Sequence, residues 1–207
     1  MESVLPLATL ALTQLLAVIS PGQSFLVISR TALASGRTPA LIATLGMGVG
    51  SVLWAAGAIA GLAVLFEQIG WLYVALKIAA GLYLLFLAIA LWPHADDTID
   101  VDEVDVRTLS PLAAFRLGFL TQIANPKVIV FFGSIFVALL PAQPPLWVIA
   151  ATLAIVFINE TSWYTVVSCL FSATKSRNAY LRAKRWIDRS MAGLLALIGG
   201  KLIADAQ

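Results

Sequence analysis

Two charged side chains lie inside stretches of sequence that are otherwise apolar. Lys127 follows Asn125 and Pro126 in the segment QIANPKVIVFFGS, and Glu160 lies in INETSWY. A charge within the hydrocarbon layer of a membrane is unfavourable, and such residues usually face a bundle interior or a water-filled cavity. The Glu160 carboxylate has the chemistry to pair with Lys127 or Lys77, to bind a substrate ammonium group, or to carry a proton.

Two proline-containing breaks, Ser20–Gln23 and Asn125–Lys127, interrupt the apolar segments. Proline disfavours helical geometry in the residue before it but suits the first position of a new helix. Ser and Asn are among the best N-caps, so we predict that Ser20 and Asn125 each cap a helix that begins within the membrane. The start of such a helix offers N–H groups and partial positive charge to a carboxylate. For the first break alone, an ordinary proline kink explains the sequence equally well.

The composition indicates an integral membrane protein. Of 207 residues, 60% are hydrophobic and 12% are charged, whereas about a quarter of the residues in an ordinary soluble domain are charged. A helix needs about 20 apolar residues to cross a bilayer. The sequence predicts six such spans, at residues 4–29, 39–66, 70–92, 113–140, 145–172 and 186–204. The last is short, so five spans with one interfacial segment is the alternative.

The predicted spans form a single transmembrane domain, 1–207, with two similar halves. The first half covers about 1–92, a polar acidic loop about 93–112, and the second half about 113–207. In each half a broken first span is followed by a long second span and a third span. Three spans per half would orient the halves oppositely, as in many secondary transporters. The predicted fold class is therefore all-α integral membrane, with six transmembrane helices as two inverted three-helix repeats and a broken first helix in each half.

Lys and Arg concentrate in alternate predicted loops. The positive-inside rule then places the basic loops in the cytoplasm and both termini outside. Lys175–Arg189 is predicted to be a basic linker before the last span. The basic residues of the first, third and fifth loops are Arg30, Arg37, Arg107, Arg116, Lys175, Arg177, Arg182, Lys184, Arg185 and Arg189.

The remaining reactive residues predict no further chemistry. The acidic loop does not follow the spacing of a calcium-binding loop, so we expect a solvated, mobile segment. Neither the single histidine, His94, nor the single cysteine, Cys169, belongs to a catalytic or zinc-binding set. We therefore predict that the protein is not an enzyme and has no cofactor, no metal and no nucleic-acid partner. The acidic residues are Asp96, Asp97, Asp100, Asp102, Glu103 and Asp105.

Glycines recur along the second predicted span. Gly46, Gly50, Gly57 and Gly61 lie on one face at 100° per residue, with Gly48 between the first two. Small residues let helix backbones approach closely, so this face predicts a helix contact within or between subunits.

Three segments resemble the LysE/RhtB family of amino-acid exporters: SPGQSFLVISRTALASGR, ANPKVIVFFGSIF and the tail SWYTVVSCLFS…WIDRSMAGLLALIGGKLI. The resemblance covers nearly the whole chain, and INETSWYTVV looks most like the threonine and homoserine exporters. It implies a six-helix exporter in the bacterial inner membrane, driven by the proton-motive force and acting as a homodimer. Family roles carry over to Pro21, Gly22, Asn125, Pro126 and Lys127.

Two positions depart from the family pattern. The family usually has a second proline where Gln23 stands, and many members have an acidic residue where Ser51 stands. The first departure changes backbone rigidity at the break. The second disfavours a cationic substrate such as lysine or arginine, because a negative partner is missing.

The resulting hypothesis is export of a small neutral amino acid across the lipid bilayer, coupled to protons. The helix starts and Lys127 would bind the substrate carboxylate, while Glu160 would bind the ammonium group or exchange a proton. Two alternatives stay open: a small cation channel or ion transporter, and a membrane structural or regulatory subunit. The predicted substrate-binding residues are Ser20, Pro21, Gly22, Gln23, Asn125, Pro126, Lys127 and Glu160.

Overall fold

The computed structural model describes residues 4–20, 22–66, 78–79, 81–86, 88–89, 92–93, 109–141 and 143–204. Within these ranges the regular structure is entirely helical, as predicted. Most of the predicted third span lies outside them, as do Pro21, Lys77, His94 and the acidic residues of the 93–112 loop. The principal helices are α1 Val4–Ile19, α2 Gln23–Ser35, α3 Arg37–Phe66, α4 Pro111–Ile123, α5 Pro126–Leu139, α6 Leu146–Phe171 and α7 Thr174–Ala204.

Several of these helices have the length and composition of membrane spans. Arg37–Gly61 of α3 and Leu146–Phe171 of α6 qualify individually, and α1 with α2 would form a third span, bent by 57° at its break. Large apolar side chains also face outward, including Leu5 at 75% and Leu197 at 72% exposure. Lipid tails solvate such side chains without penalty. These features support a membrane protein, while six spans and inverted repeats stay predictions.

The first break differs from its prediction. The Ser20 N–H donates to the Leu16 carbonyl at 3.1 Å, so Ser20 closes the end of α1. The N-cap of α2 is Gly22, which has extended backbone and provides no side-chain cap. The prediction that Ser20 caps the second helix is therefore wrong, because α2 begins at Gln23, too far along the chain for Ser20 to be its N-cap.

The second break forms as predicted. Helix α4 ends at Ile123, and α5 begins at Pro126 with Asn125 as its N-cap. The Asn125 Oδ1 accepts a hydrogen bond from the Lys127 N–H at 3.0 Å. One helix thus ends and another begins within two residues.

The basic stretch before the last predicted span is helical. Helix α7 begins at Thr174 and runs without interruption to Ala204, so the prediction of a linker over Lys175–Arg189 is wrong. The stretch contains no Gly or Pro and is rich in Lys, Arg and Ala, all good helix formers. Only Ser172 and Ala173 separate α6 from α7.

Two apolar clusters divide the core, with polar residues between them. On α3, Ser51 lies one turn from Met47 of one cluster and one turn from Ala55 of the other. On α6, Glu160 lies in the same way between Tyr164 and Val156. The polar residues of both long helices therefore occupy a layer between two apolar regions.

Helix α3 packs against α4 backbone to backbone. A methyl group on Gly46 would collide with the Phe115 carbonyl oxygen, and one on Gly118 would collide with the Ala43 backbone. At Gly50 the added carbon would lie 3.0 Å from the Cβ of Gln122. This close approach brings Gln122, near the end of α4, against the middle of α3.

The predicted glycine face is confirmed in part. Gly46 and Gly50 contact α4, and Gly48 faces α6, where an added carbon would lie 2.6 Å from the Thr161 methyl. A carbon added at Gly57 or Gly61 would have no neighbour within 4 Å in the described part of the chain. Helix α4 ends at Ile123, so it does not extend along these later turns. A subunit contact at Gly57 and Gly61 stays a prediction.

We expect Gly46→Ala to lower the thermal midpoint of the protein in detergent by several degrees. Its methyl group would meet rigid backbone, and overpacking of this kind typically costs about 1–3 kcal/mol. Gly57→Ala in the same helix is the matched control, with an unchanged or slightly higher midpoint because Ala favours helix over Gly. Equal midpoints for both variants would contradict the proposed packing.

Candidate functional site

The Glu160 carboxylate is buried near the middle of α6, at 3% exposure. Its Oε1 accepts from the Gln122 Nε2 at 2.8 Å, and its Oε2 accepts from the Gln14 Nε2 at 3.4 Å. The donors come from α4 and α1, and both are neutral amides. The negative charge is therefore stabilised by amide dipoles. The Oε2 atom has the weaker of the two hydrogen bonds.

Gln122 is the centre of a buried hydrogen-bond network. Its Nε2 also donates to the Ser51 Oγ at 2.6 Å, and its Oε1 accepts from the Ser24 Oγ at 2.7 Å. The Ser24 Oγ in turn accepts from the Asn125 Nδ2 at 2.9 Å. The network connects Glu160 on α6 to α2, α3, α4 and the second break. Its members fix one another's orientation, because each buried polar atom needs its partner.

Lys127 connects the two breaks. Its Nζ donates to the carbonyl oxygens of Ala17 at 2.7 Å and Ser20 at 3.1 Å. These carbonyls lie at the C-terminal end of α1, where the groups lack helical partners and carry partial negative charge. The ammonium group thus caps a helix that ends inside the protein, and it uses two of its three N–H donors to do so.

The start of α5 offers fewer free N–H groups than expected. The Asn125 side chain accepts the hydrogen bond of the Lys127 N–H, and the Val128 N–H donates to the Asn125 carbonyl at 3.1 Å. Pro126 has no N–H to offer. The positive charge at this break therefore comes mainly from the Lys127 ammonium group. Helix α2, by contrast, begins without a side-chain cap.

Both charges line one cavity of about 40 Å³. This volume holds roughly three water molecules. Lys127 and Glu160 have different hydrogen-bond partners but face the same space, so the cavity presents a positive and a negative group together. Its other polar lining residues are Gln14, Ser24, Gln122 and Asn125, and its apolar lining residues are Ala17, Val18, Val128, Phe131, Phe132 and Tyr164.

The two long helices α3 and α6, and the helices before the two breaks, contribute to the site in a similar way. Ser51 is the fifteenth residue of α3, which begins at Arg37, and Glu160 is the fifteenth of α6, which begins at Leu146. Gln14 precedes the first break and donates to Glu160, while Gln122 precedes the second and donates to both Ser51 and Glu160. Ser51 and Glu160 therefore occupy similar positions on the two long helices, and only Glu160 supplies a carboxylate.

The structure brings together some of the residues predicted from sequence. Asn125, Lys127 and Glu160 line the cavity. Ser20 contributes only its backbone carbonyl, as a partner of Lys127. Gln23 is exposed and lies outside the cavity lining.

The remaining predicted residues contribute through the backbone or lie outside the description. Gly22 caps α2 without touching the cavity, and Pro126 is the first residue of α5. Pro21 is outside the described residues.

Sequence reasoning missed Gln14, Ser24 and Gln122, and it noted Ser51 only as a departure from the family. The available signal was the presence of amide side chains in apolar segments. Such residues often bond to neighbouring helices without any role in a site, so type alone did not distinguish them. Among the described residues, no group of three or more His, Cys, Asp or Glu could hold a metal ion.

Known proteins resemble this chain along nearly its whole length. The threonine efflux protein of Escherichia coli K12 is 30% identical over 197 residues, which cover 94% of this chain and 96% of that protein. The threonine efflux protein of Salmonella typhi is 32% identical over 202 residues, with 94% and 96% covered. The homoserine/homoserine lactone efflux protein of Salmonella typhimurium is 26% identical over 200 residues, with 95% and 94% covered. No solved structure gives a significant match.

The family model described as LysE type translocator matches residues 15–206, which include both helix breaks and every residue of the cavity except Gln14. With this match and relatives at 30% identity or more over most of the chain, the protein belongs to the LysE type translocator family and is a membrane transporter, not an enzyme.

Proposed function

We propose that this protein is a secondary active exporter of small neutral amino acids similar to threonine or homoserine, driven by the proton-motive force. The observation that carries the proposal is the cavity lined by both Lys127 and Glu160. A neutral amino acid is a zwitterion and carries the complementary pair of charges. The efflux proteins of threonine and of homoserine among the relatives support the same substrate class.

The substrate carboxylate would bind at the breaks. Lys127 supplies a full positive charge there and keeps one N–H donor beyond those given to Ala17 and Ser20. The uncapped start of α2 adds the partial positive charge of a helix N-terminus. Asn125 and Ser24 hold this region in place through their hydrogen bond to each other.

Glu160 would bind the substrate ammonium in one step and a proton in the next. Its hydrogen-bond partners are neutral side chains, so the carboxylate has no fixed counter-charge among its hydrogen bonds. A substrate ammonium or a proton would supply that charge, and each would exclude the other. Such competition at one carboxylate would couple outward substrate movement to inward proton movement.

Export also requires the cavity to open alternately to the two sides of the membrane. A cavity of about 40 Å³ is too small for a whole amino acid, so the helices around it must separate to admit one. We propose that two inverted halves, in a six-span homodimeric protein of the bacterial inner membrane, rock about this site. The equivalent positions of Ser51 and Glu160 support this arrangement. The basic segments would face the cytoplasm.

Purified protein in proteoliposomes should export one or two small neutral amino acids from a loaded mixture when a pH gradient is imposed. Threonine and homoserine are the expected substrates, and collapse of the gradient should stop their loss. Liposomes without protein are the control. If folded, inserted protein releases no amino acid, the proposal fails, and the cation-transport and subunit hypotheses would take its place.

Glu160→Gln should lower gradient-driven export by about tenfold or more, since charge-assisted hydrogen bonds contribute roughly 1.5–3 kcal/mol. The substituted amide keeps the size of the side chain but neither a negative charge nor a titrating group. Ser162→Ala, an exposed site two residues further along α6, should leave export unchanged. Wild-type rates in Glu160→Gln would exclude a coupling role.

Lys127→Met should abolish export and also lower the thermal midpoint. The carbonyls of Ala17 and Ser20 would lose their donor, and a buried polar group without a partner costs about 1–3 kcal/mol. Lys127→Arg should preserve stability better because it keeps the charge. Arg116→Met, at an exposed position of α4, is the control and should change neither property. Intact export in both Lys127→Met and Glu160→Gln would show that this cavity is not the substrate site.

A further inference from the structure

Gln14 has a buried hydrogen-bond acceptor that the network leaves unused. The side chain lies in α1 at 1% exposure and lines the cavity. Its Nε2 donates to Glu160, but its Oε1 has no partner in the part of the chain that the structure describes. Buried acceptors are nearly always bonded, so this acceptor, on a side chain that lines the cavity, is available to a group bound there.

The other glutamine of the network, Gln122, has no unbonded side-chain acceptor. Gln122 precedes the second break as Gln14 precedes the first, and its Oε1 accepts from Ser24. Its Nε2 donates to Ser51 and Glu160, so both ends of this amide are bonded. Gln14 has a single donor contact, with Glu160, and its acceptor has no donor in the described part of the chain.

The neighbouring carboxylate oxygen is also under-bonded. Glu160 Oε1 has a hydrogen bond of 2.8 Å from Gln122, whereas the contact of Oε2 with Gln14 is longer, at 3.4 Å. Two acceptors, one of them negatively charged, thus lie side by side at the cavity. A primary ammonium group matches this pair because it carries three donors and a positive charge. A hydroxyl group has only one donor and would satisfy only one of the two.

We infer that Gln14 is a substrate-binding residue, which together with Glu160 forms a two-acceptor site for the primary ammonium group of the transported amino acid. This inference rests on the proposed function and adds a residue to it. It also predicts which substrates are accepted: compounds that lack the ammonium group gain less from Gln14 than amino acids do.

The test compares two substrates and an amine-free analogue in proteoliposomes of the purified protein. Gln14→Met keeps the length of the side chain but removes the acceptor. We expect it to raise the KM for threonine and for valine by similar factors of about tenfold to a hundredfold, the usual effect of losing a hydrogen bond to a charged group. Inhibition by the 2-hydroxy acid analogue of valine should change less, because its hydroxyl group has one donor and no charge, whereas the ammonium group has three donors and a positive charge.

Control variants separate binding from structure. Thr13→Val alters the adjacent buried polar residue, which bonds to the Thr9 carbonyl outside the cavity, and should leave KM unchanged. Gln14→Glu keeps an oxygen acceptor and should retain more affinity than Gln14→Met. If Gln14→Met does not fold, Gln14→Ala gives the same comparison.

Four results would overturn the inference. An unchanged KM in Gln14→Met would exclude a binding role, and an equal loss for valine and its 2-hydroxy acid analogue would indicate a structural one. A loss for threonine but not valine would assign the acceptor to a side-chain hydroxyl instead. If the wild-type protein exports no amino acid, the proposed function itself fails. This outcome differs from failure of the Gln14 inference alone, in which the wild type still exports.

Discussion

Every backbone polar group of a membrane-spanning segment must find a partner within the protein, because the hydrocarbon layer supplies none. A helix that breaks in the membrane violates this requirement unless other groups satisfy its ends. Here a residue of the second break satisfies the helix end at the first break. Lys127, placed by the start of α5, bonds to the carbonyls of Ala17 and Ser20 at the end of α1. The same charge that permits the first break is thereby held at the cavity.

The polar network depends in turn on close helix packing. Gly46 and Gly118 allow the backbones of α3 and α4 to touch, and this places Gln122 beside Ser51. From there Gln122 reaches Glu160 on α6. A larger residue at either glycine would separate the helices and break hydrogen bonds several residues away. The close packing of α3 against α4 therefore supports the hydrogen bonds that Gln122 makes in the site.

The predictable part of the site is local in sequence. The restart of the helix at Pro126 and the Asn125 cap follow from the geometry of a few covalently connected residues, and they form as expected. The membrane class follows from composition, and Lys127 and Glu160 are conspicuous as charges in apolar segments. Local reasoning misassigned Ser20, because its position one residue before a proline does not reveal where the next helix begins.

The sequence by itself therefore determined the helical membrane character, the places of the two proline-containing helix breaks, and the two charges that lie in apolar segments. Tertiary structure alone decided which groups those charges meet. Gln14 and Glu160 are separated by 146 residues in sequence, and Ser24 and Gln122 by 98. No local pattern encodes such pairs, because they depend on how closely and in which rotation whole helices pack.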